Sequence, residues 1–410
     1  MMKRSVIALA AIATFSACNL DKTNPNAPTQ ETILGSREGV TALAIGLQAR
    51  YGSGMSSFIF PGGLISDEFG TPIGALQSYK DAEVGALAET YDAVELPWQS
   101  HYQTIKTADD LIANTPAVSL GAETESGILA MSYLLKAASL SDLVQLYQKV
   151  IIDPKAATQA FVDRPTALAS ILALLDSALV QQKKVATRSV FDASIRAKGF
   201  DVGNTILAMQ ARNQRLAGNW PAALAAAQQV DTSVVSVMPF SDQAINPLFD
   251  LSSRSSYVRP RDTLRVVAEA GDARVAFNLT GATVAGTVRP IRSFAQFAAT
   301  TSSIAIYWPG EIMLIKAEAW ANTGQLALAA AQVNYVRTRC GGTSNQPKAC
   351  LPALPLTSLT TQAQIVEEIY KQRKFELFAT GLRWEDVRRQ ALVSATSPYA
   401  KRCWLLYPNS

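Results

Sequence analysis

One histidine, His101, stands in a chain of 410 residues. A histidine-based metal site, an HExxH zinc centre included, needs at least two imidazoles, so that class of chemistry is excluded. The four cysteines, Cys18, Cys340, Cys350 and Cys403, form no CxxC pair, which speaks against a zinc ribbon. No GxxxxGK[ST] loop occurs, and no GxGxxG follows a strand pattern, so the two common phosphate cradles are missing. Charge of one sign is scarce too: 37 basic and 33 acidic residues leave a net +4. A dedicated nucleic-acid surface needs a more concentrated basic face. The one locally basic run, Arg254 to Arg265, reads as a solvated arginine-rich loop. His101 itself sits beside the seam of a helix expected over 96–113 and reads as partly exposed and without a role. No metal and no cofactor is expected, and no arrangement of residues argues for an enzyme.

What is present begins at the N-terminus. Lys3 and Arg4 precede a short apolar run, Ser5 to Phe15, and small residues lead to Cys18. This is the layout of a signal peptide over 1–17, and the run is too short to cross a bilayer, which takes about 20 residues. Phe15-Ser16-Ala17-Cys18 is similar to a bacterial lipobox, which implies that Cys18 carries lipid, palmitate among its chains. Residues 18–34 then suit a flexible tether, being polar, proline-containing and aperiodic. No other stretch reads as long and charge-free enough to cross a membrane, so the chain is expected to be anchored to one without spanning it. In an oxidising compartment Cys340 and Cys350, ten positions apart, could close a local disulfide; the odd third thiol, Cys403, leaves the pairing open.

Residues 35–410 read as a single, mostly α-helical domain. The strongest pattern is Tyr307 to Cys340. Its first helix, Glu311 to Ala321, carries only three charges and should be buried nearly all round. Its second puts Leu326, Ala329, Val333 and Val336 on one face, and Gly324 supplies the turn between them. Gln210 to Val230 repeats the pattern. With Gly218 set on Gly324, Ala211, Ala223 and Ala225 fall on Ala317, Ala329 and Ala331. Helical hairpins with small residues at matched places bury their faces by stacking on neighbours, the logic of tetratricopeptide-like repeats. Two segments break the helical period. Tyr51 to Tyr79 holds six glycines and several aromatics and reads as an irregular loop suited to presenting side chains. Residues 238–301 read as an irregular insertion with at most one short β-hairpin, around Arg274 to Val288. Adjacent carboxylates Asp67 and Glu68 could serve a surface hydrolase, but neighbours in a loop are poorly placed to flank a glycosidic bond, which needs ~5–10 Å between them.

The C-terminal stretch Ile365 to Arg389 reads locally as a salt-bridged helix end, with Arg373 and Glu376 three apart and a restart after Gly381. With the hairpin before it, this stretch resembles the SusD/RagB family of nutrient-uptake lipoproteins. Ile369, Arg373, Glu376, Leu377, Gly381, Arg383, Asp386 and Arg388 match the family's pattern near the C-terminus. Glu311, Glu318, Asn334, Val336, Arg337 and Arg339 match the segment upstream. Asp272-x-Arg274 and Tyr102-Gln-x-Ile105 also fit. Departures occur at Gln372, Thr380 and Val387. The resemblance implies about four tetratricopeptide-like pairs, an outer-membrane, cell-surface location, and capture of oligosaccharide or peptide for a TonB-dependent barrel of SusC/RagA type. A helical-repeat adaptor lipoprotein without a nutrient is the alternative. Of the matched residues, Glu318, Arg337, Arg373, Glu376, Gly381, Arg383, Asp386 and Arg388 are expected to be structural. Ligand contacts are expected at Phe58, Asp67, Glu68, Phe69 and Tyr79 of the glycine-rich segment and at Tyr257 of the insertion, because aromatic faces stack on sugar CH groups. Trp98 and Trp320 read as core.

Overall fold

Apolar residues three and four apart wind most of this chain into helices that can only be buried against one another. A computed structural model describes residues 30–341, 345–390 and 404–408. Cys18, the proposed signal peptide, most of the tether and Cys403 lie outside the described residues. The principal helices are α1 (Arg37–Ile65), α2 (Asp92–Asn114), α3 (Ala122–Leu146), α4 (Arg164–Lys183), α5 (Val202–Leu216), α6 (Trp220–Gln229), α7 (Pro309–Asn322), α8 (Leu326–Thr338), α9 (Gln362–Glu376) and α10 (Arg383–Arg389). Each of α1 to α8 packs on the next in sequence, and α9 closes the row against α7 and α8. These are four successive hairpins, the arrangement expected of stacked repeats. Gly218 and Gly324 turn the last two of them at φ 75° and 80°. Ala211, Ala223, Ala317 and Ala329 are all fully buried at the contacts, whereas Ala225 and Ala331 face outward.

Helix α3 departs from the sequence reading. By length and composition it is apolar enough to cross a membrane, and 94% of its most apolar window is buried inside the protein. It is a core helix, enclosed by α2 and α4 and touched by α1 and α5. His101 of α2 also departs: it is buried against this helix, 3.9 Å from Asp142.

Strands are few and short. Among the described residues four antiparallel pairs occur: β1 (Phe69–Gly70) with β5 (Arg259–Pro260), β2 (Lys149–Ile151) with β3 (Phe161–Asp163), β4 (Val237–Met238) with β8 (Ile304–Ala305), and β6 (Leu279–Val284) with β7 (Ile291–Phe294). Ladders of two or three residues leave no period-two signal, which is why only the β6–β7 hairpin could be anticipated. Its outgoing strand lies within the expected stretch, but Arg274–Asn278 is a helical turn and the return strand starts later, at Ile291. The tether shortens as well, since Gln30–Leu34 is helical and packs on α1 and α2.

The largest difference is at Tyr51 to Tyr79. Its first fifteen residues continue α1 to Ile65, through Pro61, with a second helix at Gln77–Glu83. The glycines there serve close approach instead of turning the chain. A Cβ on Gly62 would stand 2.9 Å from the Gly381 carbonyl oxygen, and one on Gly52 would press on Met238. Composition alone cannot tell a glycine that bends a backbone from one that lets another element in.

Candidate functional site

Burial decides the fate of the anticipated ligand contacts. Phe58, Phe69 and Tyr79 are at most 5% exposed. Phe69 meets Phe294 and Phe378 edge-on at 5.2 and 6.1 Å. Tyr79 lies against Tyr257 with centroids 5.0 Å apart, and its hydroxyl donates to Asp92 at 3.0 Å. These rings pin the α1 end to the insertion and offer no free face to a sugar; half-buried Tyr257 belongs to the same cluster. Asp67, in left-handed backbone at φ 64°, is clasped by Arg261 at 2.7 Å and Arg289 at 2.5 Å. Glu68 is buried, and that burial pushes its carboxyl up to about 8, against the pull of Arg383, the Ala379 N–H and Lys374. One carboxylate pinned by two arginines and one withdrawn from solvent cannot flank a glycosidic bond as free acid and base.

The buried Glu68 sets a pH dependence. Its folded value lies above the unfolded one, so the folded state holds the proton longer and its stability falls as pH rises from about 4.5 to about 8. Glu68→Gln removes this cost. Thermal unfolding should show the variant more stable than the parent at pH 8–9 and level with it near pH 4.5.

The residues carried by the C-terminal resemblance form a buried ionic frame. Arg215 binds Glu318 at 2.5 Å and Asp386 at 3.0 Å, and Arg373 binds the other Asp386 oxygen at 2.8 Å. Burial pushes Asp386 up, but Arg373 and Arg215 outweigh it and hold the carboxyl below its usual range. Arg274 joins Asp272 at 2.7 Å to Glu376 at 3.2 Å. Arg337 clasps Glu269 at 2.7 Å and Glu368 at 3.0 Å. Arg388 pairs with Glu385 and donates to the Gln145 carbonyl at 2.6 Å. Arg212 and Glu311 repeat the device between α5 and α7, at 2.6 Å. Sequence reasoning overlooked Arg212 and Arg215; their three-residue spacing on one helix face was the available signal. Arg383 stands apart from this frame, with no hydrogen bond or ion pair among the described residues.

Open concave surface lies elsewhere. Cys340 and Cys350 are joined as a disulfide, closing a strap after α8. On one side of it a groove of about 480 Å³ is lined by Phe277, Gln296, Gln346 and Lys348. On the other a groove of about 450 Å³ is lined by Tyr335, Thr338 and Arg339, and it shares Gln346 and Lys348. Phe277 is half-buried and held edge-on to Trp308 at 5.7 Å; Tyr335 is 55% exposed. The Gln346 side-chain oxygen accepts from Arg339 at 3.0 Å, and its amide nitrogen has no partner among the described residues. An aromatic face with amides and a cation around it, in a volume of this size, is the composition of a small-ligand site. None of these lining residues was anticipated as a contact, because they come from two segments about sixty residues apart that only the strap brings together.

A second surface joins the two irregular segments. Pro72 bridges Gly286, and the Thr71 hydroxyl donates to Thr287 at 2.9 Å. Around this seam Ile73, Leu76, Val284 and Val288 are 64%, 51%, 45% and 48% exposed. The notable ring cluster of Trp98, Tyr102, Tyr147, Phe161 and Tyr407 instead packs the β2–β3 ladder and the terminal Trp404–Pro408 segment onto α2.

Comparison with known proteins matches residues 273–403 to the SusD family. No curated protein matches by sequence. The fold is shared with a SusD-like carbohydrate binding protein from Bacteroides vulgatus, at 14% identity and TM-score 0.66 over 86% of this chain and 83% of that one. It is shared with NanU of Bacteroides fragilis, at 14% identity and TM-score 0.67 over 93% and 94% of the two chains. A SusD superfamily protein from Bacteroides thetaiotaomicron gives 17% identity and TM-score 0.67 over 88% and 91%.

Proposed function

We propose that this chain, whose residues 273–403 match the SusD family, is a surface lipoprotein of SusD/RagB type that captures oligosaccharide and delivers it to a TonB-dependent outer-membrane transporter. The observation that carries this reading is the groove beside the disulfide strap, where Phe277 offers a ring face held rigid by Trp308 and Gln296, Gln346 and Lys348 supply polar groups around it. A sugar stacks its CH face on such a ring while its hydroxyls meet the amides. The neighbouring groove with Tyr335 lengthens the surface to that of more than one sugar unit. Lipid on Cys18 would hold the helical stack at the membrane. The seam of Ile73, Leu76, Val284 and Val288 would face the transporter, since exposed aliphatic groups gathered at one place mark contact surfaces. Peptide is the other ligand class this groove could take, and the non-transport adaptor is the reading that remains if no nutrient binds.

Calorimetric titration with a panel of neutral oligosaccharides and peptides tests the reading. Phe277→Ala should weaken the best ligand about tenfold, the loss of one ring stack of ~1–1.5 kcal/mol, with the circular dichroism of the helices unchanged. An affinity that does not move with Phe277→Ala or Tyr335→Ala would remove the groove from the account.

A further inference from the structure

Arg383 is a matched arginine that lies outside the ionic frame. A groove of about 540 Å³ runs past Gln364, Lys371 and Lys374 of α9 to Arg383 and Gln390. Lys374 and Arg383 are both half-buried, and neither has an ion pair or hydrogen bond among the described residues. Behind them lies a cavity of about 20 Å³, room for about one water molecule. Ser66, Glu68 and Arg261 line it, and each is at least nine-tenths buried. The Ser66 hydroxyl, one Glu68 oxygen and the Arg261 Nη1 have no hydrogen-bond partner there. Buried polar atoms without partners are rare in folded proteins and ask for an occupant.

The acidic groups nearby do not neutralise the two cations. Asp67 is taken up by Arg261 and Arg289. Glu68 holds its proton at neutral pH, for the reason given above. Glu368 is bound to Arg337, and exposed Glu367 lies further along the groove. Burial and the neighbouring Arg383 depress Lys374, with Glu68 and Asp67 acting against them. Asp386 feels the Arg383 charge but gives its two oxygens to Arg215 and Arg373. Two like charges, half-withdrawn from water, thus line the same groove with no ion pair of their own among the described residues.

We propose that Lys374 and Arg383 form an oxyanion site at the inner end of the α9 groove, taking the carboxylate or sulfate of an acidic sugar. The guanidinium offers a planar fork of N–H donors and the ammonium a point charge, the pair of geometries that grips a carboxylate or sulfate. The Ser66 hydroxyl and the protonated Glu68 complete it, directly or through the water-sized cavity. This site is separate from the Phe277 groove, and its test does not depend on neutral oligosaccharide binding there.

The experiment is calorimetric titration of the intact chain at pH 7 and low salt with glucuronate, glucose and inorganic sulfate. Glucuronate, sulfate or both should bind where glucose does not. Lys374→Met should weaken that binding at least tenfold, Lys374→Arg should restore it, and Phe277→Ala should leave it unchanged. Glucuronate without sulfate assigns the site to uronic acids; sulfate without glucuronate assigns it to sulfated groups. Should Lys374→Met fold poorly, Arg383→Gln read by the same titration decides the matter. Absence of binding by both anions, or binding that survives both substitutions, overturns the proposal.

Discussion

Asp386→Ala is expected to destabilise the protein by about 3–5 kcal/mol, the cost of breaking a buried ion pair. Asp386 is 1% exposed and supplies one oxygen to Arg215 and the other to Arg373, both of them 2% exposed. Among the described residues, removing it leaves Arg373 without an ion-pair partner and Arg215 with Glu318. The buried guanidinium cannot shed its proton, so the desolvation cost stays in full. The comparison that isolates burial is Arg289→Ala. That arginine is 43% exposed and its pair with Asp67 should be worth under about 1 kcal/mol. Chemical denaturation of the two variants should separate them by several-fold in lost stability, and equal losses would mean that the frame is not what holds α5, α7, α9 and α10 together. The direction with pH follows from the depressed carboxyl. Its contribution is present above the unfolded value of 3.8 and fades as acid protonates the folded state, so the gap between parent and variant should close at low pH.

Gly381→Ala is expected to cost about 3–4 kcal/mol. Gly381 has φ 81°, a conformation in which a Cβ is strained by ~1–2 kcal/mol. A Cβ there would also lie 2.6 Å from the Phe58 ring and 3.2 Å from the Ile59 backbone of α1. Neither can retreat, because Phe58 and Ile59 are themselves buried, and forced overpacking adds ~1–3 kcal/mol. Gly324→Ala is the matched control: its φ is 80°, but no atom lies within 4 Å of the added carbon. It should therefore lose only the strain. If thermal unfolding shows the same shift for both glycines, the close approach of α1 to the turn before α10 contributes nothing.

Phe58 links this result to the reading of the chain. A phenylalanine in a segment with six glycines looked like a displayed ring, and it is a wall against which a distant glycine packs. The same holds at Phe69 and Tyr79. Aromatics and glycines are the residues of exposed binding loops and also of tight helix contacts, and a single sequence carries no term for what lies opposite. The C-terminal motif behaved differently. Arg373 and Glu376 sit three apart with opposite charges, so an ionic role for both could be inferred, but they do not pair with each other: Arg373 takes Asp386, across the Gly381 turn, and Glu376 takes Arg274 of the insertion. Arg383 has the same chemistry but no hydrogen bond or ion pair among the described residues, and nothing in its local spacing distinguished it.

What the chain determined by itself was its helices, the glycine turns of the hairpins at Gly218 and Gly324, and the order in which neighbours stack. Those properties depend on residues three, four or a few dozen positions apart, and periodicity records them. Only the tertiary structure decided which aromatics keep a face in water, which arginines join the buried ionic frame, and that Phe277 and Gln346 share a groove. These outcomes depend on solvent exclusion by segments far away in sequence, and exclusion is a property of the packed whole.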